Sequence, residues 1–291
     1  MKDIIEKASI LVESLPYIQK FRGKTFVIKY GGHAMENQQL KYSFAEDITL
    51  LKYVGINPII VHGGGPQIND FLERLNIESQ FKEGMRVTDS NVMEIVEMTL
   101  SGKINKEIVS LINKAGGKAV GISGRDSNLL KAKKLYVESK NQNGKKLLHD
   151  IGFVGEVEEV NVDFLNNLSE NYIPVIAPIG IDCNSNTYNI NADTAAGSIA
   201  GSLQAEKLLL LTDVDGVKDS NGNRISTIYK QTAEQLKEEG TLKGGMIPKI
   251  DCAIKAVENG VKKAHIIDGR IKHSILLEIF TDSGIGSEIV L

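Results

Sequence analysis

The chain is predicted to be an α/β protein, a three-layer αβα sandwich with an open, mainly parallel central sheet. Three observations predict this. Short apolar runs recur without polar alternation, the mark of strands covered on both faces. Stretches with apolar residues at helical spacing separate those runs, as in parallel strands joined by crossover helices. Two of the runs, TFVIKYGG at Thr25–Gly32 and NPIIVHGGGP at Asn57–Pro66, stop at glycine clusters. Those clusters lie at the carboxyl ends of strands, where such sheets bind ligands.

The elements follow in order. The first twenty residues stand apart: Ile4, Ile5, Ala8, Leu11, Val12, Leu15 and Ile18 share one helical face, and Pro16 should kink that helix. The stripe either packs on its own domain or meets another subunit. The first strand is Phe26–Lys29, followed by a helix at Gln39–Val54. The strand Pro58–Val61 leads into a helix at Gln67–Leu75, with Pro66 suited to its first turn. Helices are expected at Asn91–Leu100 and Ile104–Lys114, then a strand at Lys118–Ile122. The alternation then breaks. Leu130–Val137 and Phe153–Val160 flank the polar insert SKNQNGKKLLHD, whose Asn143-Gly144 pair signals a hairpin turn, so an antiparallel ribbon is expected. The strand Ile173–Ala177 runs into a lobe boundary at Ala177–Ile181. The rest reads as helix Ala192–Leu203, strand Leu208–Leu211, helix Met246–Asn259 and strand His265–Ile267. The organisation is therefore an N-terminal helix over residues 1–24, a lobe over 25–180 and a second lobe over 181–291.

Composition excludes several classes. The chain has 291 residues, 42% hydrophobic and 24% charged, with a formal net charge of −3. No basic field attracts nucleic acid or anionic lipid, and no run is long enough to span a membrane. Aromatic residues are 5% of the chain and tryptophan is absent, which argues against base-stacking platforms. Cys183 and Cys252 are far apart and in no metal or redox pattern, and the N-terminus lacks an apolar leader core. A cytoplasmic protein with reduced thiols is expected.

The candidate chemistry is that of anion binding. A strand ending in glycines exposes backbone N–H groups, and a following helix adds its positive N-terminal pole. Lys29 inside VIKYGG is either a cation aimed at phosphate or a snorkelling edge-strand lysine. Gly63-Gly64-Gly65 form either a backbone cradle or a tight strand–helix turn, and they match neither Walker A nor the dinucleotide fingerprint. In YNINADTAAG, Asn189, Asn191 and Asp193 alternate into a helix start; N-capping explains one of them, and ligand contacts suit the others. Lys249 sits in the first turn of a helix, unfavourable against the dipole unless it faces an anion, or else solvated. Arg86 in KEGMRVTD can clamp a carboxylate, or form a surface ion pair. The five histidines show no metal-ligand spacing.

Together, VIKYGG, IIVHGGGPQI, GMRVTD, NINADTAAG, LLTDVDGV and GGMIPKI, in that order, resemble the amino acid kinase family from about Phe26 to the end of the chain. HGGGPQI with GMRVT points to members whose acceptor is N-acetyl-L-glutamate rather than aspartate, glutamate, carbamate or UMP; an acceptor such as acetylaminoadipate is the alternative. The resemblance implies a single eight-stranded sheet, the acetylated amino acid in the 25–180 lobe and ATP with Mg²⁺ in the 181–291 lobe. It implies that Lys29 and Lys249 are catalytic cations, organised by Asp193. Gly31, Gly32 and Gly63 would meet phosphate, and Gly64, Gly65, Arg86 and Asn189 would hold the acceptor. No protein-bound metal site is implied. The acceptor carboxylate, with a reference pKa near ~4.3, is already ionised at neutral pH and needs no general base.

The kinked N-terminal helix and the segment AHIIDGRIKHSILLEIFTDSGIGSEIV resemble the arginine-inhibited, ring-forming hexameric members, built as a trimer of dimers. By position, Tyr17, Lys218, His265, Glu278 and Gly284 match residues of that effector site. A PII-type signalling protein is a further partner that some such enzymes take.

Overall fold

The computed structural model describes residues 9–140 and 146–291. Its centre is an eight-stranded sheet. The strands are β1 (Thr25–Tyr30), β2 (Asn57–His62), β5 (Ala119–Ser123), β8 (Ile173–Ala177), β11 (Lys207–Thr212), β12 (Thr227–Tyr229), β13 (Lys263–Asp268) and β14 (Ser287–Val290), in the spatial order β12-β14-β13-β11-β1-β2-β8-β5. Six of these strands run parallel; β14 pairs antiparallel with β13 and parallel with β12. All six expected core strands are present within two residues of their expected ends. The short β12 and β14 were not anticipated.

The strand order explains where a ligand goes. β2, β8 and β5 lie on one side of β1, and β11, β13, β14 and β12 on the other. The strand order reverses about β1, which opens a crevice beyond its carboxyl end. β1 is therefore a central strand. Phe26, Val27 and Ile28 are fully buried, with alternate residues feeding two apolar cores on opposite faces of the sheet.

The helices that cover these faces are α1 (Leu15–Phe21), α2 (Gln38–Tyr53), α3 (Gly65–Arg74), α4 (Ser90–Glu97), α5 (Asn105–Lys114), α6 (Val162–Asn171), α7 (Ala192–Ser202), α8 (Lys230–Glu238), α9 (Met246–Glu258) and α10 (Ser274–Ile279). Several begin at side-chain caps: Asn37 accepts from the amides of Gln39 and Leu40, Asp89 from Val92 and Asn161 from Phe164. One sequence expectation needs correction. The two helices expected at Asn91–Leu100 and Ile104–Lys114 are one continuous rod, because a π-helical segment, Met98–Ile104, joins α4 to α5.

The expected ribbon is present as β6 (Leu130–Lys140) paired antiparallel with β7 (Lys146–Val160). The Asn143-Gly144 turn lies outside the described residues. The ribbon does not stand alone: β9 (Ile179–Ile181) and β10 (Thr187–Ile190) close it into a four-stranded barrel. A two-stranded hairpin, β3 (Phe81–Lys82) with β4 (Met85–Arg86), completes the strands.

Residues 9–13 are also helical, and a turn at Ser14 separates them from α1. Pro16 falls in the first turn of α1, where its missing N–H breaks no hydrogen bond. Ile10, Leu11, Val12 and Leu15 are exposed, so this part of the stripe does not pack on its own domain. Ile4, Ile5 and Ala8 lie outside the described residues.

Candidate active site

Lys29 is the fifth residue of β1, near its carboxyl end at the crevice, on the face shared with Val27. It is 9% exposed and not an edge-strand lysine. Its Nζ lies 3.1 Å from Asp193 Oδ1, and the Nζ of Lys249 lies 2.6 Å from Asp193 Oδ2. α7 brings Asp193 here. Asn191 caps that helix, accepting from the amides of Asp193 at 2.9 Å and Thr194 at 3.2 Å, so Asn191 is the capping residue of the three alternating polar side chains. Lys249 comes from the first turns of α9, and Cys252 one turn on donates its thiol to the Asp193 carbonyl at 2.9 Å. Burial opposes ionisation of Asp193, but the two lysines outweigh it and hold the carboxyl below its usual range. Burial pushes the Lys29 ammonium down, offset in part by Asp193 and reinforced by Lys249. Two cations share one carboxylate.

The glycine loops flank this charge. A Cβ on Gly31 would sit 2.7 Å from Lys29 Nζ, so a side chain there would push the ammonium from its place beside the loop. Gly32 has φ +70° and opens a short 3₁₀ turn, and a Cβ there would meet Asp213 Oδ1 at 2.4 Å. Asp213, at the end of β11, accepts the His33 amide at 2.8 Å and lies 3.0 Å from the His33 ring. In the second loop the Gly63 amide donates to the Tyr30 carbonyl at 2.8 Å. Gly63 therefore spaces the loop and has no free N–H for phosphate, unlike the expectation. A Cβ on Gly64 would fall 2.5 Å from the Ile104 side chain and 2.6 Å from that of Leu100, so a side chain there would displace the π-helical segment's packing. Gly65 faces open space at the start of α3. Neither the Gly64 nor the Gly65 amide meets an acceptor among the described residues.

Arg86 lies on β4, 7% exposed, with its guanidinium reaching the second glycine loop at Gly65. Its guanidinium donates to Asn69 Oδ1 at 2.7 Å, to the Gly65 carbonyl at 3.4 Å and to Ser79 Oγ, and it stacks 4.7 Å from the centre of the Phe81 ring. Among the described residues it has no carboxylate partner, so it is not a surface ion pair. Burial lowers its pKa from the ordinary value. Asn189 on β10 reaches the same region: its amide donates to Thr88 Oγ1 at 3.4 Å, and that hydroxyl donates to the Arg86 carbonyl at 2.9 Å. Asn69, Ser79, Thr88 and Asp213 support these groups and were not singled out from sequence. Thr88 and Asp213 lie within the motifs GMRVTD and LLTDVDGV, so only their neighbours' roles were legible.

The five effector candidates are only partly brought together. His265 Nδ1 lies 2.6 Å from Glu278 Oε1, and Glu278 Oε2 accepts the amides of Ile285 at 2.7 Å and Gly286 at 2.9 Å. Gly284 has φ +56°, and a Cβ there would press on Glu278 Oε2 at 2.9 Å. Tyr17 touches the same segment, through a hydrogen bond to Asp282 and an edge-to-face contact with Phe280 at 6.5 Å. Lys218 instead pairs with Asp215 at 3.1 Å, and no contact joins it to Glu278. Lys207, not anticipated, completes the buried cluster, with its Nζ 2.9 Å from His265 Nε2.

Among the described residues no group of three His, Cys, Asp or Glu side chains converges as a metal-ligand set. No helix there is long and apolar enough to cross a membrane.

The chain is similar to known proteins along its length. The model of the amino acid kinase family matches residues 24–268. The acetylglutamate kinase of Syntrophobacter fumaroxidans is 60% identical over 99% of this chain and 97% of that protein. That of Sulfurihydrogenibium sp. is 57% identical with both chains fully covered. Among solved structures, an N-acetylglutamate synthase from Neisseria gonorrhoeae, complexed with coenzyme A and N-acetyl-glutamate, superposes with a TM-score of 0.85 at 27% identity over 98% of this chain, which spans 63% of that synthase. The same synthase complexed with coenzyme A and L-arginine gives 0.80 at 26% identity, with 97% and 65% coverage. A carbamate kinase from Giardia lamblia bound to AMP-PNP shares the fold, with a TM-score of 0.64 at 16% identity, 92% of this chain and 98% of that one.

Proposed function

The chain belongs to the amino acid kinase family, and on that premise we propose how its site phosphorylates the side-chain carboxylate of N-acetyl-L-glutamate with ATP. The observation that carries the mechanism is the cluster in which Asp193 holds Lys29 and Lys249 at the mouth of the switch-point crevice. Acceptor and donor are both anionic, so repulsion is the main obstacle and no proton must be removed. The two ammonium groups stabilise the equatorial oxygens of the phosphoryl group in transit, with Asp193 fixing their separation. The amides of Gly32 and Gly64 add uncharged donors on either side.

Arg86 binds the α-carboxylate of the acceptor bidentately, and its lack of a protein counter-ion supports that role. Asn189 and the Gly65 amide hold the acetamido group. On this reading residues 25–180 carry the acceptor and residues 181–291 the nucleotide. The residues present fit a nucleotide whose Mg²⁺ travels on the phosphates. When bound with the nucleotide, that ion would supply charge neutralisation on the phosphates, while Lys29, Lys249 and the glycine amides would orient the γ-phosphoryl group. The direct test is ADP release with acetylglutamate, glutamate, acetylaminoadipate and aspartate as competing acceptors. Acetylglutamate is expected to give the highest kcat/KM, and preference for any other acceptor overturns the assignment.

We infer further that L-arginine acts as a feedback effector at the Glu278 cluster. A buried carboxylate suits a guanidinium group, and one related fold, the Neisseria synthase, has been solved with L-arginine. The exposed Ile10, Leu11, Val12 and Leu15 support an assembly in which residues 1–24 join dimers into a trimer of dimers.

A further inference from the structure

The second glycine loop is gripped from beneath by a polar pair that the mechanism above does not use. His62, the last residue of β2, is fully buried, and so is Asn105, the first residue of α5. His62 Nδ1 lies 2.8 Å from the Gly63 carbonyl oxygen. A carbonyl only accepts, so Nδ1 carries the proton. His62 Nε2 then accepts from the Asn105 amide at 3.3 Å. That amide is also within hydrogen-bonding distance of the carbonyls of Val175 at 2.9 Å and Ile122 at 3.3 Å, and Lys106 Nζ donates to Asn105 Oδ1 at 3.2 Å. One tautomer fits this arrangement, the neutral Nδ1–H ring. Burial favours it too, pushing the imidazole pKa down to about 4.

The consequence lies in the peptide that follows. The Gly63 carbonyl and the Gly64 N–H belong to one planar unit, and the chain has no cis peptide among the described residues. In a trans peptide the C=O and N–H point in opposite directions. A carbonyl drawn onto the buried His62 ring therefore turns the Gly64 N–H away from the interior, where no protein acceptor meets it. Glycine is otherwise free to rotate. The Gly63 amide is held by the Tyr30 carbonyl, so the loop is pinned on both sides of Gly63. The π-helical segment delivers the remaining parts. It brings Leu100 and Ile104 against Gly64, and its end places Asn105 under His62.

We propose that His62 is a positioning residue for phosphoryl transfer, which with Asn105 locks the Gly63–Gly64 peptide so that the Gly64 N–H faces the reacting anion. The role rests on the reading that Gly64 meets acceptor or phosphoryl oxygen. Without the imidazole the peptide can turn over, presenting a carbonyl oxygen where an anion must sit.

The test uses three substitutions in the full-length protein. Asn at position 62 places an N–H close to where Nδ1 stood, Gln carries its amide one bond further out, and Leu offers none. His62→Asn is expected to keep most of kcat. His62→Leu and His62→Gln are expected to lose about 10²-fold in kcat, the scale of one oxyanion-type donor, with the ATP KM little moved. Thermal unfolding of each variant separates this from loss of fold. Equal kcat for folded Asn and Gln variants overturns the proposal. Should the variants not fold, ¹⁵N spectra of the wild-type imidazole decide it alone. A protonated Nδ1 and bare Nε2 are expected at neutral pH, and a protonated Nε2 with bare Nδ1 overturns the lock. Absence of wild-type activity on acetylglutamate would sink the acceptor assignment, whereas an active wild type with indifferent variants would sink only this role for His62.

Discussion

Two buried clusters in this molecule each set one carboxylate against two nitrogen bases, and they behave oppositely. At the crevice, Asp193 lies between Lys29 and Lys249, and its charge is outnumbered. In the C-terminal segment, Glu278 meets His265, which meets Lys207, and two backbone amides also bond the carboxylate. Burial disfavours the charged form of His265, leaving one cation for one anion. The first cluster is preorganised for an incoming anion. The second is internally satisfied, and a ligand there must displace one of its members. Charge count, rather than residue type, separates the two clusters, and on the proposed mechanism only the first has charge to spare for an incoming anion.

The largest effect that could break this comparison is on turnover. Lys29→Ala and Lys249→Ala should each lower kcat by more than ~10²-fold, the scale of one preorganised charge contact. Steady-state ADP release measures it, and wild-type turnover in either variant would mean that the crevice cluster is structural, like its counterpart.

Arg86→Ala should come next. Loss of one charge-assisted contact is worth roughly 1.5–3 kcal/mol, to be seen as a raised acetylglutamate KM with the ATP KM nearly unchanged. The opposite pattern would move Arg86 from the acceptor to the nucleotide.

Much of this was legible in the sequence, for physical reasons that can be named. Long apolar strands such as Ile173–Ala177 and Leu208–Leu211 announce themselves because both faces are buried. Lys29 is conspicuous because a charge in such a strand needs a partner, and the partner proved to be Asp193. N-capping accounted for one of Asn189, Asn191 and Asp193 without saying which, and the start of α7 shows it to be Asn191. Short elements stayed hidden. Thr187–Ile190 and Ser287–Val290 are four residues long, too short to show a period, and each has a pairing partner distant in sequence, β7 for the first and β12 for the second. A break was expected between Leu100 and Ile104, whereas the helix continues there as a π turn that sets Leu100 and Ile104 against Gly64. His62 carried no signal, since a lone histidine after a strand has many ordinary explanations. Its meaning depends on Asn105, far along the chain.

The second cluster can be sharpened by pH. Burial opposes ionisation of Glu278, but His265 and the two amides outweigh it and hold the carboxyl below its usual range. A depressed carboxyl contributes stability above its unfolded pKa and loses it as pH falls through the folded value. Glu278→Gln should therefore cost about 1–2 kcal/mol near neutral pH, the difference between charged and neutral hydrogen bonding. That gap should close as pH drops below ~4. Chemical denaturation of both proteins across that range measures it, and a gap independent of pH would show that Glu278 is not ionised in the fold.

The smallest effect on the active site, and the most informative about the second cluster, should come from the N-terminal helix. Tyr17 on α1 bonds Asp282 and packs edge-on against Phe280, so it touches the segment between Glu278 and Gly284. The same helix leads back to the exposed Ile10, Leu11, Val12 and Leu15. One element therefore joins an uncovered apolar surface to the self-neutralised cluster, and both could be biased by one ligand. Deleting residues 1–20 removes the surface and the link together. The truncated protein should sediment as a dimer, and arginine should inhibit it less, relative to its own uninhibited rate, than it inhibits the full chain. Tyr17→Phe removes only the bond to Asp282 and keeps the apolar surface. It should preserve the assembly while weakening the arginine response. A truncated protein that keeps both its assembly and its arginine sensitivity would reduce the helix to a packing element. The two clusters would then differ in charge alone, with no route by which a neighbouring subunit reads the second.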